Sequence, residues 1–111
     1  MVADTTYFGR ARFKQCEYSV TACNGGTIIL LPLRNDLRNH SPDGFSWGYN
    51  GSGPAQLALA LLADATGSDE KALKYYQRYK AEIVSRLPEN WELPIKAVSS
   101  WVHNIEKEIT I

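Results

Sequence analysis

Apolar and polar positions alternate through the first third of the chain. In YFGRARFK, Tyr7, Gly9, Ala11 and Phe13 fall on one side of an extended strand, and Phe8, Arg10, Arg12 and Lys14 on the other. EYSVTA repeats the period, with Tyr18, Val20 and Ala22 opposed to Glu17, Ser19 and Thr21. TIILLPL is apolar on both sides, the pattern of a strand buried between two layers, and Pro32 ends it or puts its far end at an edge. Residues 14–16 and Asn24-Gly25-Gly26 separate the runs; Asn and Gly tolerate the positive φ of a tight turn. The pattern predicts an antiparallel meander of three strands within residues 7–33. No period is visible over 34–53, although FSWGY alternates large and small residues and is a candidate fourth strand.

The period then lengthens. Ser52 or Gly53 opens a first helix with Pro54 in its first turn, and AQLALALLADA is apolar nearly all round, as in a buried helix. Gly67 stops it. Ser68 caps a second helix, whose inner face is expected at Leu73, Tyr76, Tyr79 or Lys80, Ile83 and Leu87, and Pro88 ends it. A third opens at Pro94, with Ile95, Val98, Val102, Ile105 and Ile109 stepping by three and four. Helices are thus expected over residues 54–66, 69–87 and 94–109. Strands before helices predict an α+β fold: a small antiparallel β-sheet of three to four strands packed against three α-helices, as a single domain over 1–111.

Composition narrows the function classes. With 111 residues and 44% hydrophobic content the chain has enough apolar matter for one core. Lys+Arg and Asp+Glu balance at 12 each, which argues against a general nucleic-acid binder. The opening MVADTTYFGR lacks the basic and apolar regions of a signal peptide, and no apolar run approaches the roughly 18 residues of a membrane span. A cytoplasmic protein with no membrane partner is expected. Cys16 and Cys23, at opposite ends of an extended strand, would stand about 20 Å apart, beyond the reach of a disulfide. Neither they nor His40 and His103 have metal-ligand spacing, so no metal and no cofactor are expected.

Candidate chemistry gathers in HSPDGFSWGYNGSGP. Gly48 and Gly53 have phosphate-loop spacing, but Pro54 and Ala55 stand where Lys and Ser/Thr are needed. Asn50 and Pro54 break the nucleophile-elbow pattern around Ser52. What remains is a helix N-terminus suited to an anion, with Gly51, Ser52 and Gly53 as ligand-binding candidates and His40, Trp47 and Tyr49 beside them. The plainer reading is that Ser52 caps the helix and the glycines allow a tight turn. His40, Ser41, Asp43 and Ser52 could be combined into a hydrolase triad, but three of the four lie within four residues, too close for that geometry, and SPDG is a turn signature. No catalytic residue is assigned, and His40 is expected to anchor the loop. Phe45, Trp47 and Tyr49 share a face if extended, either covering the buried helix or forming an aromatic platform. Arg10, Arg12 and Lys14 are interface candidates on a strand face that is otherwise simply solvated. Tyr75 and Arg78, expected off the core face of the second helix, are of the types that dominate interfaces.

HSPDGFSWGYNGSGPAQLALALL resembles the signature of a small-protein family of bacteriophages, plasmids and other mobile elements, a family of unknown function whose usual form reads close to HSPTGFEWGYGGSGPAQLALALL. Asp43, Ser46 and Asn50 stand at its variable or altered positions. YFGRAR resembles the family's opening strand, and DEKALKYYQRYKAEIVSRLPENWEL its second helix and the Trp after it. The resemblance implies no reaction, cofactor or catalytic residue. It implies a context in which small proteins are often interaction modules, including inhibitors of host defence. The expectation is a non-enzymatic binding protein in contact with a host or phage protein, for example of anti-CRISPR type, with a homodimer open. Binding of a small anionic, nucleotide-like ligand at the first helix is the alternative, and a small hydrolase the third reading.

Overall fold

A computed structural model describes residues 4–109. In chain order the elements are β1 (Thr6–Arg12), β2 (Glu17–Asn24), β3 (Thr27–Leu30), α1 (Ser52–Thr66), α2 (Asp69–Glu82), β4 (Trp91–Pro94) and α3 (Ile95–Ile109), with short 3-10 turns at Phe13–Gln15 and Val84–Arg86. The four strands form one antiparallel sheet in the order β3-β2-β1-β4. The fold is therefore α+β, with the expected meander and three helices. The fourth strand is Trp91–Pro94, however, and residues 45–49 form no strand: Gly48 turns the chain there with φ 85°. Four residues closed by a proline show no period, and an edge position tolerates that proline.

Cross-strand partners share a face. Tyr7 pairs with Ala22 and Leu93, and Gly9 with Val20 and Trp91; of these only Leu93 is not fully buried. This is the helix-covered face. The other carries Phe8 beside Thr21 and Glu92, Arg10 beside Ser19, and Thr21 and Cys23 beside Leu30 and Ile28, none of them buried. Among the described residues nothing covers that outer face. The expected two-sided burial of TIILLPL is corrected here. β3 is an edge strand that overhangs the helices, with Ile28, Ile29 and Leu30 67%, 53% and 73% exposed, and only Leu31 enters the core. Gly25-Gly26 makes the preceding turn, Gly25 with φ 61°. Cys16, in the β1–β2 turn, and Cys23 are free thiols.

α1 is the centre of the molecule and is buried almost all round, from Gly53 to Ala63 and again at Ala65. Its helical backbone starts at Ser52, so the cap is Gly51 and the exposed Ser52 hydroxyl makes no capping bond, contrary to expectation. Gln56, the one polar side chain in its apolar stretch, is fully buried. Its Oε1 accepts the N–H groups of His40 (2.8 Å) and Ser41 (3.1 Å), and its Nε2 donates to the Leu33 carbonyl (2.6 Å). One side chain thus ties the aperiodic segment to α1 and satisfies three backbone groups. On the sheet side, the buried Tyr7 hydroxyl donates to Asp64 of α1 at 2.5 Å.

α2 is capped by Ser68, whose hydroxyl accepts from the Lys71 N–H at 3.1 Å. Its inner face is Ala72, Tyr75, Tyr76 and Tyr79: the expected Tyr76 and Tyr79 are on it, but Ala72 and Tyr75 take the place of Leu73. Tyr75 is therefore a core residue; taking the half-buried Leu73 as the anchor rotates the predicted stripe away from it. α2 ends at Glu82, short of 87, where the chain tightens into the 3-10 turn ahead of Pro88. α3 buries Ile95, Val98, Val102 and Ile105, while Ile109 is exposed. No helix among the described residues is long and apolar enough to cross a membrane.

Candidate functional site

The Gly-rich loop folds back on the molecule. Trp47 is 1% exposed, donates its indole N–H to the Pro88 carbonyl at 2.8 Å, and stacks edge-on against Tyr18 and Trp91. Because Gly48 reverses the chain, Trp47 and Tyr49 do not share a face: the first is core, the second is half exposed. Each glycine candidate has a packing partner. A Cβ on Gly51 would meet the Tyr49 ring at 2.7 Å, and one on Gly53 would stand 1.7 Å from Ser46 Oγ. The space over Gly53, which an anion at the helix N-terminus would need, is filled by the buried Ser46, whose hydroxyl bonds Tyr49 Oη at 2.8 Å.

His40 and Ser41 are held at three points. The His40 N–H is bonded to Gln56, its Nε2 lies 2.7 Å from the Tyr76 hydroxyl, and the Ser41 N–H shares the same Gln56 oxygen. Ser41 Oγ donates to the Gly44 carbonyl at 2.6 Å, closing the 41–44 turn. The bonds of His40 and Ser41 thus fasten the loop, and Ser41 bonds a backbone carbonyl and not the His40 ring.

Two distant segments converge at the free end of the β1–β2 hairpin. The chain leaves the strand at Phe13, so Lys14 sits on the turn and not in line with Arg10 and Arg12. Glu89 Oε2 accepts the Phe13 N–H at 2.9 Å and fixes this turn. Phe13 reaches Tyr18, ring centroids 5.9 Å apart, and a Cβ on Gly48 would touch the Phe13 ring at 3.2 Å. Burial, and then the neighbouring Tyr49, hold the Tyr18 phenol above its ordinary pKa. Phe13 and Tyr49 are 36% and 50% exposed there.

At the same end lies an open cleft of about 680 Å³, lined by Arg10, Arg12, Glu17, Tyr18, Ser19 and Asn90. Arg10 donates to the Gly9 and Trp91 carbonyls, stacks over the Phe8 ring and stands 3.9 Å from Glu92. Arg12 and Lys14 are exposed and have no ion-pair partner among the described residues. Glu17 faces Arg12 across the hairpin. The cleft therefore mixes charges. Arg78, by contrast, is occupied, paired with Glu82 at 2.7 Å and Glu108 at 3.4 Å. Sequence reasoning missed Phe13, Tyr18 and Asn90; the aromatic flanks of the FKQCEY turn were the available signal.

Fold and surface together define a small α+β protein with one helix-covered sheet face and a mixed aromatic and charged end. The chain belongs to the DUF6166 family, a family of unknown function, whose family model matches residues 7–104. No curated protein and no solved structure matches it.

Proposed function

We propose that the chain is a non-enzymatic interaction protein of a phage or other mobile element, and that it acts by occupying a host or phage protein. The observation that carries the reading is the convergence at the hairpin end. Exposed Arg10 and Arg12 line the open cleft with Tyr18, while the exposed Lys14 and Tyr49 lie outside its lining, Lys14 on the hairpin turn and Tyr49 next to Gly48, whose added Cβ would touch the Phe13 ring at 3.2 Å. Arg and Tyr are over-represented among the residues that dominate protein–protein contacts. The mixed charge of the cleft favours a shaped protein surface over a nucleic-acid backbone. The mobile-element context, and the further step to a host defence component, rest on the resemblance of HSPDGFSWGYNGSGPAQLALALL alone.

The test is affinity capture from bacterial cytosol with the wild-type chain beside Arg12→Glu and Tyr49→Ala, both exposed positions. A protein retained by the wild type and lost by both folded variants supports the reading. Equal retention by all three overturns the choice of surface.

A further inference from the structure

β3 is an unusual edge. Its four residues, Thr27-Ile28-Ile29-Leu30, carry no charge, and all four are exposed. Soluble proteins protect such edges with lysines, prolines, bulges or short covering segments. Here the nearest proline, Pro32, lies beyond the strand, and among the described residues β3 has a neighbour only on its β2 side. Three large aliphatic side chains, each more than half exposed, flank this open edge on both faces of the sheet, Ile28 and Leu30 on the outer face and Ile29 on the helix side.

We infer that a second copy of this chain covers β3, by antiparallel pairing of the two β3 edges about a two-fold axis normal to the sheet. The occupant of this edge must be an uncharged strand with aliphatic side chains on both faces, and β3 itself meets that description. An axis through Ile29 places the two Ile29 side chains opposite each other on the helix side. Ile28 of each copy then faces Leu30 of the other on the outer side, because residues that alternate along a strand keep their faces across such a pair. No charge meets a like charge in that arrangement. The four-stranded sheets join into one of eight strands, and the backbone groups left open at both edges are satisfied. The aliphatic side chains and strand edge together are smaller than a standard interface of about 800 Å² per partner, which places the association in the weak, reversible class. β3 pairs with the Thr21–Asn24 half of β2, away from the cleft at the hairpin end, so self-association is independent of the partner contact proposed above.

Analytical ultracentrifugation of the full chain, from low micromolar to near-millimolar concentration, reads this directly. The wild type should move from 12.4 kDa toward twice that mass. Ile29→Lys, at a half-exposed site, would set two like charges across the axis and should weaken the association by at least about a hundredfold. A wild type that stays at 12.4 kDa throughout overturns the inference, as does a dimer that Ile29→Lys leaves intact. Amide hydrogen exchange on the wild type gives a second reading that needs no variant. Protection at residues 27–31 should rise with concentration, and protection that does not change there contradicts β3 pairing.

Discussion

Gly9 is where the sheet depends most sharply on a missing side chain. It pairs with Trp91 across β1 and β4, and an added Cβ would stand 2.1 Å from Trp91 Cε2, 2.2 Å from Nε1 and 2.5 Å from Cζ2. Carbon atoms in contact sit about 3.5–4.0 Å apart, so the indole would have to shift by roughly 1.5 Å. The atoms concerned belong to a rigid ring, 5% exposed and packed edge-on against Trp47. Gly9→Ala has two outcomes. The ring and its neighbours are strained in place, at about 1–3 kcal/mol for an overpacked core. Otherwise Trp91 is expelled and β4 with it, at about 3–5 kcal/mol, the range for losing a buried Trp. Against this, Ala reduces the entropy of the unfolded chain, worth about 0.4–1 kcal/mol. Taking the middle of each range, the net expectation is a loss of about 1.3 kcal/mol if the ring is strained in place and about 3.3 kcal/mol if it is expelled, against a typical domain's stability of about 5–15 kcal/mol. Urea unfolding followed by far-UV circular dichroism measures it. Trp91→Leu in the Gly9→Ala background should recover part of the loss, so the double-mutant cycle should show favourable coupling. A Gly9→Ala protein within about 0.5 kcal/mol of wild type, the ordinary scatter of surface changes, would refute the packing argument.

Two further outcomes follow from buried polar groups. Gln56→Leu keeps the volume but leaves the His40 and Ser41 N–H groups and the Leu33 carbonyl without their partner. These backbone groups are part-buried, so the loss should be about 1–3 kcal/mol in total and not that much for each, with faster amide exchange at His40 and Ser41; unchanged exchange there would contradict the anchoring role. Tyr7 and Tyr79 are held above the ordinary tyrosine pKa, Tyr7 by burial and then by its bond to Asp64, Tyr79 by burial. Raised folded pKa values mean that their stabilising effect is complete below the unfolded value of about 10 and declines as pH rises beyond it, by about 1.4 kcal/mol per pH unit for each group. Urea midpoints measured from pH 8 upward should fall above pH 10, and Tyr7→Phe should flatten that fall by one proton's worth. Equal slopes for the two proteins would remove Tyr7 from the account.

Much of this architecture is written in local periods. The alternation at Tyr7, Gly9, Val20 and Ala22 identifies the covered face of the hairpin, and the unbroken apolar run after Pro54 identifies α1 as central. What escapes a local reading depends on where an element ends up. An apolar strand reads the same whether it is sandwiched or overhanging, so Ile28–Leu30 point to burial that the edge position of β3 denies. β4 is too short for a period, and its sequence signal is the Trp whose ring needs Gly9. In α2 one misplaced anchor, Leu73, moves Tyr75 from core to surface. The loop residues were legible by type but not by direction, because a single positive φ at Gly48 sends Trp47 inward and leaves Tyr49 outside. Gln56 carried a usable clue: a lone amide in an all-round apolar helix must find partners, and here it holds the aperiodic segment.

The central claim, that the hairpin end is the contact surface, is tested most directly by amide hydrogen exchange on the chain alone and in complex with a captured partner. Protection gained at residues 10–19 and 48–51 is the predicted result. Protection confined to the exposed sides of α2 and α3, with the hairpin end unchanged, would contradict it.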